Sequence, residues 1–339
     1  RFTQQNIPLD DPTTYRLLSS GNVTGIFQVE SEGMRRVLTS MRPTEFEHIV
    51  AVLALYRPGP MEFIDDYIAG LHGTKAAEYP HPALEPILGE TYGVCVYQEQ
   101  IIRILTDIAG FSAGDADLVR KAVGKKLREE LVGHRASFVQ GARQHSNVDE
   151  ASANQIFDAF EFFARYGFNK AHAADYAIIT VQTAYLKAHH PVEYMTALLT
   201  VEQGNTEKVG LLIAEARRLG IEVLPPNVNR SGPDFTIEDE TEDSGDSVIR
   251  PAIRYGLGAI KNVSVGAVQE IIRARQEGGP FASLDDFCER VDLRGINRRM
   301  LECMIKVGAL DRFGSRAQLL ESIDQMMGVS AQVHEAEDV

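Results

Sequence analysis

Apolar residues recur at helical spacing through most of this chain, and proline or glycine interrupts them at short intervals. Side chains three and four positions apart share one helix face, so each such segment predicts a helix with one buried stripe. The interruptions at Arg57-Pro58-Gly59-Pro60, at Gly167 and before Pro191 predict helix ends. A short strand is expected at 25–29, and 94–97 could be a strand or the entry to a helix. The chain is therefore expected to be mainly α with a few short strands.

The bulk composition limits the classes of protein to consider. The 339 residues carry a formal net charge of -14, which argues against non-specific nucleic-acid binding but leaves room for a local basic groove. Cys95, Cys288 and Cys303 form no CxxC pair, which fits a reducing cytoplasm and argues against a disulfide framework or a cysteine-rich zinc site. No run approaches the roughly 20 apolar residues of a membrane span, and no signal peptide opens the sequence.

The second part of the chain differs in character from the first. Pro225-Pro226 and an acidic, cation-free stretch at 237–249 indicate a change of domain, and the stretch itself predicts a solvated loop. Beyond it, Gly258, Gly266 and Gly308 punctuate short predicted helices. This spacing is typical of tandem helix-hairpin-helix units.

A basic run at 120–128 places five cations within nine residues. Arg120 and Lys121 fall on the last turn of a helix predicted to open at Ser112, and Lys125 and Lys126 follow its end. Together they could reach one polyanion from two sides. The alternative is that they complement the helix dipole without any ligand. The run is not a P-loop, which needs a preceding strand and Ser or Thr after Gly-Lys.

The segment 166–172 places Lys170 just before another predicted helix, with Asn169 and His172 beside it. A helix N-terminus offers free N–H donors and a partial positive charge, so phosphate binds there readily. The alternative is that Asn169 merely caps the helix and Lys170 faces solvent. Phe168 and Tyr166 would then be ordinary core residues.

No catalytic set of residues can be recognised. Nucleotidyl transfer needs carboxylates that aim at shared metal ions. Asp115 and Asp117 have suitable spacing, but residues two apart on a helix point to nearly opposite faces. Arg57 on its rigid turn and Tyr97-Gln98 at a predicted helix start offer polar groups, although each alone is more often structural. We therefore expect phosphate-binding residues but no catalytic residue and no metal ligand.

Taken together, these motifs resemble the bacterial replicative DNA polymerase III alpha subunits, the C family of polymerases. The similar segments occur in the family's order and cover almost the whole chain: 27–31, 54–60, 92–100, 120–126, 166–172, 205–208, 224–229 and 256–261. The resemblance implies a palm-to-fingers junction and start of the fingers at 1–55 and a fingers domain at 56–195. It further implies a tandem helix-hairpin-helix domain at 196–320 and a linker or tail at 321–339.

The resemblance also implies roles for the basic residues. Arg120, Lys121, Lys125, Lys126 and Lys170 would hold the triphosphate of an incoming deoxynucleotide, and His172 would lie near its sugar. Candidate nucleotide or template contacts are Arg57, Tyr97, Gln98 and Asn169.

The whole subunit would be a bacterial cytoplasmic DNA-directed DNA polymerase that uses Mg²⁺. Its partners would be primer-template DNA, deoxynucleoside triphosphates, the sliding clamp and other replicase subunits, with no membrane. Its catalytic aspartates belong to the palm and would precede Arg1. The chain is accordingly expected to be an internal piece that cannot extend a primer alone.

The hairpin region can be read separately from the fingers. Hairpins of this type offer backbone N–H groups to DNA phosphates without reading bases. The DNA-backbone contacts expected here are Lys261, Gly266, Arg298 and Arg299. The alternative structure is a helical scaffold with exposed cations, and the alternative function is a non-catalytic helix-hairpin-helix DNA-binding module.

Overall fold

The computed structural model describes residues 3–124, 128–163, 166–240 and 250–337. For 123, 124, 128–132, 160–163, 240, 250 and 337 within these ranges it describes the backbone alone. Lys125 and Lys126 lie outside the described residues. The chain divides into two compact units, residues 1–188 and 189–339.

The first unit is built from helices, as the apolar spacing predicts. They are α1 (Pro12–Ser19), α2 (Glu32–Met41), α3 (Phe46–Leu55), α4 (Ile64–Leu71), α5 (Glu85–Leu88), α6 (Gln98–Arg103), α7 (Ala113–Gly124), α8 (Arg128–Ser146), α9 (Glu150–Phe163) and α10 (Lys170–His189). A π-helical turn, Ile104–Ile108, extends α6. The predicted start of α7 is confirmed, since the Ser112 hydroxyl accepts the N–H of Asp115 at 3.2 Å.

Two hydrophobic cores share the first unit. One is formed by α1 to α4 and α10, and the other by α5 to α9. The extended segment 94–97 serves both, since Val94, Val96 and Tyr97 enter the first core while Cys95 enters the second. Alternating sides is the expected behaviour of extended backbone. The segment thereby fixes the position of α6 between the two cores.

The strand expected at 25–29 is wrong, because this segment forms consecutive turns. Ile26 and Val29 are fully buried three residues apart, a spacing that suits turns rather than a strand. The backbone groups of Phe27 bond to α10 instead of to a strand: its N–H donates to the Thr183 hydroxyl at 3.2 Å and its carbonyl accepts from Thr180 at 3.1 Å.

The second unit combines helices with a small sheet. Its helices are α11 (Pro191–Val201), α12 (Thr206–Arg218), α13 (Val265–Gly278), α14 (Leu284–Arg290), α15 (Arg298–Lys306), α16 (Arg316–Glu321) and α17 (Ile323–Glu337). Its strands are β1 (Val223–Leu224), β2 (Thr236–Glu240) and β3 (Arg250–Arg254), in the order β1-β3-β2. The β1–β3 pair is parallel and the β2–β3 pair antiparallel.

The acidic stretch begins as a strand, so the loop expected from residue 237 is wrong over 237–240. The physical reason is a largely buried charge pair: Arg254 on β3 donates to both carboxylate oxygens of Glu238, at 3.0 and 2.8 Å. Ile237 lies opposite Ile253 in the same antiparallel register. Residues 241–249 lie outside the described part of the chain.

The residues expected to form a linker or tail are instead helical and packed. α17 contacts α14, and Ile323 and Met326 join the core formed by α13 to α16. The Ser330 hydroxyl is fully buried, donates to the Val291 carbonyl at 2.8 Å and accepts the N–H of Leu293 at 2.9 Å. This helix is therefore part of the second unit, because its apolar face completes the hairpin core.

Candidate functional site

The turn at 57–60 is tied to the segment that precedes α10. Gly59 has a φ of 101°, and an added Cβ there would lie 2.6 Å from ring atoms of Tyr166. The Arg57 guanidinium donates to the carbonyls of Ala54 and Tyr166, at 2.7 and 2.8 Å, and stacks over the Phe168 ring at 4.2 Å. Burial lowers the pKa of Arg57. Arg57 therefore connects the turn at 57–60 to the segment 166–168, and its side chain is only partly accessible to a ligand.

The entry to α6 forms the other side of this arrangement. Tyr97 pairs with Phe168 in a single parallel bridge, in which the Gln98 N–H donates to the Phe168 carbonyl at 2.9 Å. The Gln98 side chain donates to the Gly167 carbonyl at 3.0 Å. Gln100 fixes the same entry, since its amide oxygen accepts the Tyr97 N–H at 2.9 Å. Gln98 thus positions the start of α10 by contacts within the chain.

Two backbone N–H groups at the start of α10 already have side-chain partners. The Asn169 side chain accepts the N–H of His172 at 2.8 Å, and both Glu99 carboxylate oxygens lie 3.0 Å from the Lys170 N–H. The expectation of free N–H donors for phosphate at these two positions is therefore wrong, because an amide and a carboxylate occupy them. Asn169 caps the helix, as the alternative interpretation held.

The Lys170 ammonium is partly exposed and held between two groups. It lies 2.6 Å from Glu90 Oε2 and 5.2 Å from the centre of the Tyr97 ring, with 38% of the side chain accessible. The direct ligand contact expected of Tyr97 is contradicted, since only 2% of this residue is exposed and burial raises the pKa of its hydroxyl. Its ring acts on Lys170 through a cation–π contact instead.

An aromatic series continues along α10 from this point. His172 lies 5.5 Å from Phe168 and 4.6 Å from Tyr176, ring centre to ring centre, and Tyr176 lies 5.5 Å from Phe27. The i, i+4 spacing places His172 and Tyr176 on one face of α10. They border a cavity of about 420 Å³ lined by Gln28, Ser31, Met34, Leu53, Tyr56, Arg57, Phe168, His172, Ala173 and Tyr176. The fold thus brings the predicted residues Arg57 and His172 to one cavity.

The two cations of the basic run whose side chains the structure describes are paired on their own helix. Asp117 accepts from Arg120 at 2.8 Å and lies 2.6 Å from the Lys121 ammonium. These hydrogen bonds, first from Lys121 and then from Arg120, lower the pKa of Asp117. Asp117 is therefore a counter-ion rather than a metal ligand. Its role follows from i, i+3 and i, i+4 spacing, which the sequence already shows.

The first hairpin leads from the short 3-10 turn Leu257–Ala259 into α13. Lys261 is exposed and has no ion-pair partner within the described part of the chain. The Ser264 hydroxyl caps α13 by accepting the Ala267 N–H at 3.2 Å. A Cβ added at Gly266 would meet no atom within 4 Å, so open space surrounds this position. Lys261 and Gly266 are therefore both accessible to a ligand.

Two arginines occupy the first turn of α15. Arg298 is engaged by Glu302 at 3.2 Å and also by Asp324 on α17. Arg299 is exposed, and no ion pair to it is found among the described residues. The sequence predicts the same role for both arginines. In the structure Arg298 is held by ion pairs, whereas Arg299 is accessible to a ligand.

Other site classes receive no support from the described ranges. Within them, no three His, Cys, Asp or Glu residues group so that they could hold a metal ion. No helix in the same ranges has the length and apolar character needed to cross a membrane.

Two family models match the chain, in the order that the fold suggests. Residues 1–146 match the bacterial DNA polymerase III alpha subunit finger domain, and residues 220–319 match a helix-hairpin-helix motif. The chain belongs to the bacterial DNA polymerase III alpha subunit family. The expected fold class, mainly helical with fingers followed by helix-hairpin-helix units, is thereby confirmed.

Individual members of this family match along almost the whole sequence. The chain is 49% identical to DNA polymerase III subunit alpha of Thermus aquaticus, over 97% of the chain and 26% of that relative. Identity is 48% with the same subunit of Bacillus subtilis, over 95% of the chain and 28% of that relative. It is 45% with that of Caulobacter vibrioides, over 97% and 28%. The chain spans about a quarter of the length of these curated relatives.

Proposed function

We propose that this chain is the part of a replicative DNA polymerase that positions the incoming deoxynucleoside triphosphate and grips duplex DNA. The observation that carries the proposal is the cavity lined by Arg57 and His172 at the start of α10, the helix that also carries Lys170. An aromatic wall next to a cation suits a molecule that joins a ring system to a polyphosphate. Family membership supports the same assignment.

The triphosphate would replace the carboxylates that now hold the cations. Lys170 pairs with Glu90, and Arg120 and Lys121 pair with Asp117, at positions that remain partly exposed. Exposed ion pairs contribute about 0–1 kcal/mol each, so a triphosphate with several charges can displace them. Lys125 and Lys126 complete the proposed set from the same basic run.

His172 would contact the sugar. Its ring is exposed at the cavity edge and is held between Phe168 and Tyr176. These two ring contacts orient the His172 imidazole while leaving it exposed to a ligand. Arg57, which lines the same cavity, would then orient the template or the nucleotide.

Positioning is the contribution that these residues can make to nucleotidyl transfer. Orienting reactants and neutralising phosphate charge account for much of the acceleration in such reactions. Mg²⁺ would support attack by the primer 3′ oxygen in the whole enzyme. The described residues do not provide its ligands, and we assign no metal-dependent step to them. We expect the chain alone not to extend a primer.

Triphosphate binding tests the proposal directly. Lys170→Ala is expected to weaken binding of a deoxynucleoside triphosphate roughly tenfold to a hundredfold, since hydrogen bonds to charged groups are worth about 1.5–3 kcal/mol. Calorimetric titration of the chain measures this effect. Lys75→Ala is a matched control, because Lys75 belongs to the same unit and forms an exposed ion pair with Asp66 at 2.9 Å.

The outcome also separates the proposal from its alternative. A non-catalytic helix-hairpin-helix module binds DNA but no triphosphate. Absence of triphosphate binding by the unmodified chain, or equal losses in the Lys170 and Lys75 variants, would reject the proposed triphosphate binding by this chain.

Duplex binding tests the hairpin region. Lys261→Ala should weaken binding of a short duplex and reduce the slope of log affinity against log salt by about 1, because one phosphate contact is lost. Lys208→Ala is the control, since Lys208 on α12 is paired with Glu202 at 2.8 Å. Equal effects of the two substitutions would favour the scaffold interpretation.

A further inference from the structure

The second unit contains two hairpins that repeat one sequence pattern. Residues 257–263 read LGAIKNV and residues 307–313 read VGALDRF, so Gly-Ala and the apolar positions coincide. Ile260 and Leu310 occupy the fourth position of each segment and are buried. Their carbonyls accept the N–H of the seventh residue, Val263 at 3.1 Å and Phe313 at 2.9 Å. The two turns therefore share a sequence pattern, a buried fourth position and one backbone hydrogen bond, whereas their first positions differ, since Leu257 is buried and Val307 is exposed.

The helix that follows each hairpin is also capped in the same manner. The Ser264 hydroxyl accepts the Ala267 N–H at 3.2 Å, and the Ser315 hydroxyl accepts the Gln318 N–H at 3.4 Å. The helices themselves differ in length, with 14 residues in α13 and six in α16. The 3-10 turns lie at different places, Leu257–Ala259 in the first segment and Asp311–Phe313 in the second, so the side chains are compared here by sequence position.

The fifth position of the repeat carries opposite charges. Lys261 in the first hairpin is exposed and unpaired among the described residues, whereas Asp311 in the second accepts from Arg316 at 2.9 and 2.8 Å. Arg316 also donates to the Lys306 carbonyl at 3.0 Å. A Cβ at Gly308 would lie 2.5 Å from Arg316 Nη2 and 2.7 Å from Asp311 Oδ2. An internal ion pair therefore covers the second hairpin.

Arg312 does not restore the missing cation. It is exposed, but it matches Asn262 rather than Lys261 in the repeat. Asp311–Phe313 form a 3-10 turn, in which successive side chains diverge by about 120°. A phosphate that approaches the position equivalent to Lys261 consequently meets the Asp311 carboxylate first.

We infer that Asp311 excludes DNA phosphate from the second hairpin, so that of the two hairpins only the first holds duplex DNA. This inference rests on the proposed DNA binding by the hairpin region. The second hairpin then serves the protein core, where Leu310 and the neighbouring helices pack. Asp311 is a specificity-determining residue that limits the number of DNA contacts.

The test compares duplex affinity and its salt dependence for four forms of the full chain. Relative to the unmodified chain, Lys261→Ala should lower affinity by about fivefold to tenfold at about 0.1 M salt, because one counterion-releasing contact is lost. Arg312→Ala should leave affinity and slope unchanged. Asp311→Asn should raise affinity, since it removes the repelling charge and frees Arg316. A misfolded variant would lose affinity, so a gain in affinity for Asp311→Asn cannot be explained by loss of structure.

Each pattern of results has a definite meaning. Equal losses for Lys261→Ala and Arg312→Ala, or no gain for Asp311→Asn, would overturn the exclusion by Asp311 while leaving DNA binding intact. No duplex binding by the unmodified chain would reject the DNA-binding proposal itself and this inference with it.

Discussion

The start of α10 and the first hairpin both present a cation to solvent, but they hold it differently. Lys170 is paired with Glu90 and stacked on Tyr97, whereas Lys261 has no such partner in the described part of the chain. A paired cation binds a ligand only if that ligand displaces the carboxylate. A triphosphate carries more charge than a single phosphodiester and displaces the carboxylate more readily. The unpaired cation responds to any phosphate. The difference shows how one chain can separate nucleotide binding from general binding to the DNA backbone.

The largest expected effect is a substitution that disrupts the start of α10 and leaves the first hairpin intact. Gly59→Ala should reduce the free energy of unfolding by about 2–3 kcal/mol, because its backbone is left-handed and the new Cβ would clash with Tyr166. Triphosphate affinity should fall as the segment before α10 shifts, while duplex affinity stays unchanged. Urea denaturation and the two binding assays measure these effects.

Gly73 supplies the control for that substitution. Its φ is 67°, yet an added Cβ would meet no atom within 4 Å. Gly73→Ala should therefore cost about 1 kcal/mol from backbone strain alone. Equal destabilisation by the two alanines would show that the contact with Tyr166 does not fix this turn.

A second prediction sharpens the role of the internal carboxylates. Glu90→Gln should strengthen triphosphate binding by about twofold to fivefold, because an exposed ion pair worth up to about 1 kcal/mol no longer competes. Duplex affinity should not change. Asp66→Asn, which removes the partner of Lys75, provides the control in the same titration. Weaker triphosphate binding by the Glu90 variant would mean that Glu90 positions Lys170 for the ligand instead of competing with it.

A third and smaller effect extends the comparison to α15. Arg299→Ala should weaken duplex binding by about twofold to fivefold through loss of one phosphate contact. Arg298→Ala should act mainly on stability, since Arg298 is held by Glu302 and Asp324. Duplex titration and thermal unfolding of both variants distinguish these roles. A larger binding loss for Arg298 would contradict the assignment of Arg299 as the accessible cation.

The smallest expected effect concerns pH and belongs to the first unit. Burial lowers the pKa of His48 more than Glu45 and Glu47 raise it, and His72 lowers it further. Its Nδ1 also accepts the Thr44 N–H at 3.2 Å, which requires that nitrogen to be unprotonated. The unfolded chain thus binds more protons, so stability should fall as pH drops below about 6.5.

His48→Gln isolates this contribution from the other titrating groups. The variant should show a flatter dependence of the free energy of unfolding on pH over the same window. Parallel curves for the variant and the unmodified chain would assign the acid sensitivity to other residues.

Local signals predicted much of the fold. Asn169 and Ser112 are recognisable as helix caps because their bonds close within three residues. The tandem hairpins follow from glycine spacing. The turns at 25–29 could not be predicted in the same way, since the Thr180 and Thr183 hydroxyls that satisfy their backbone lie on α10, far along the sequence.

The candidate site was harder to predict than the fold. Its cations are visible in the sequence, but their counter-ions are not, because Glu90 and Glu99 lie 80 and 71 positions from Lys170. Nothing local distinguishes them from other surface carboxylates. Asp117 was visible, since its partners are on its own helix. Tyr97 was misjudged because burial depends on packing of two cores rather than on neighbouring residues.

The two glutamates near Lys170 leave different traces in the evolution of such sequences. Glu99 contacts the backbone N–H of position 170, and every residue except proline supplies that donor. Substitution at 170 therefore places no pressure on Glu99, whose identity should persist independently. Glu90 contacts the ammonium itself, so its charge should covary with that of position 170. Covariation between positions in related sequences should therefore detect the pair Glu90–Lys170 but not the contact of Glu99 with the backbone at the start of α10.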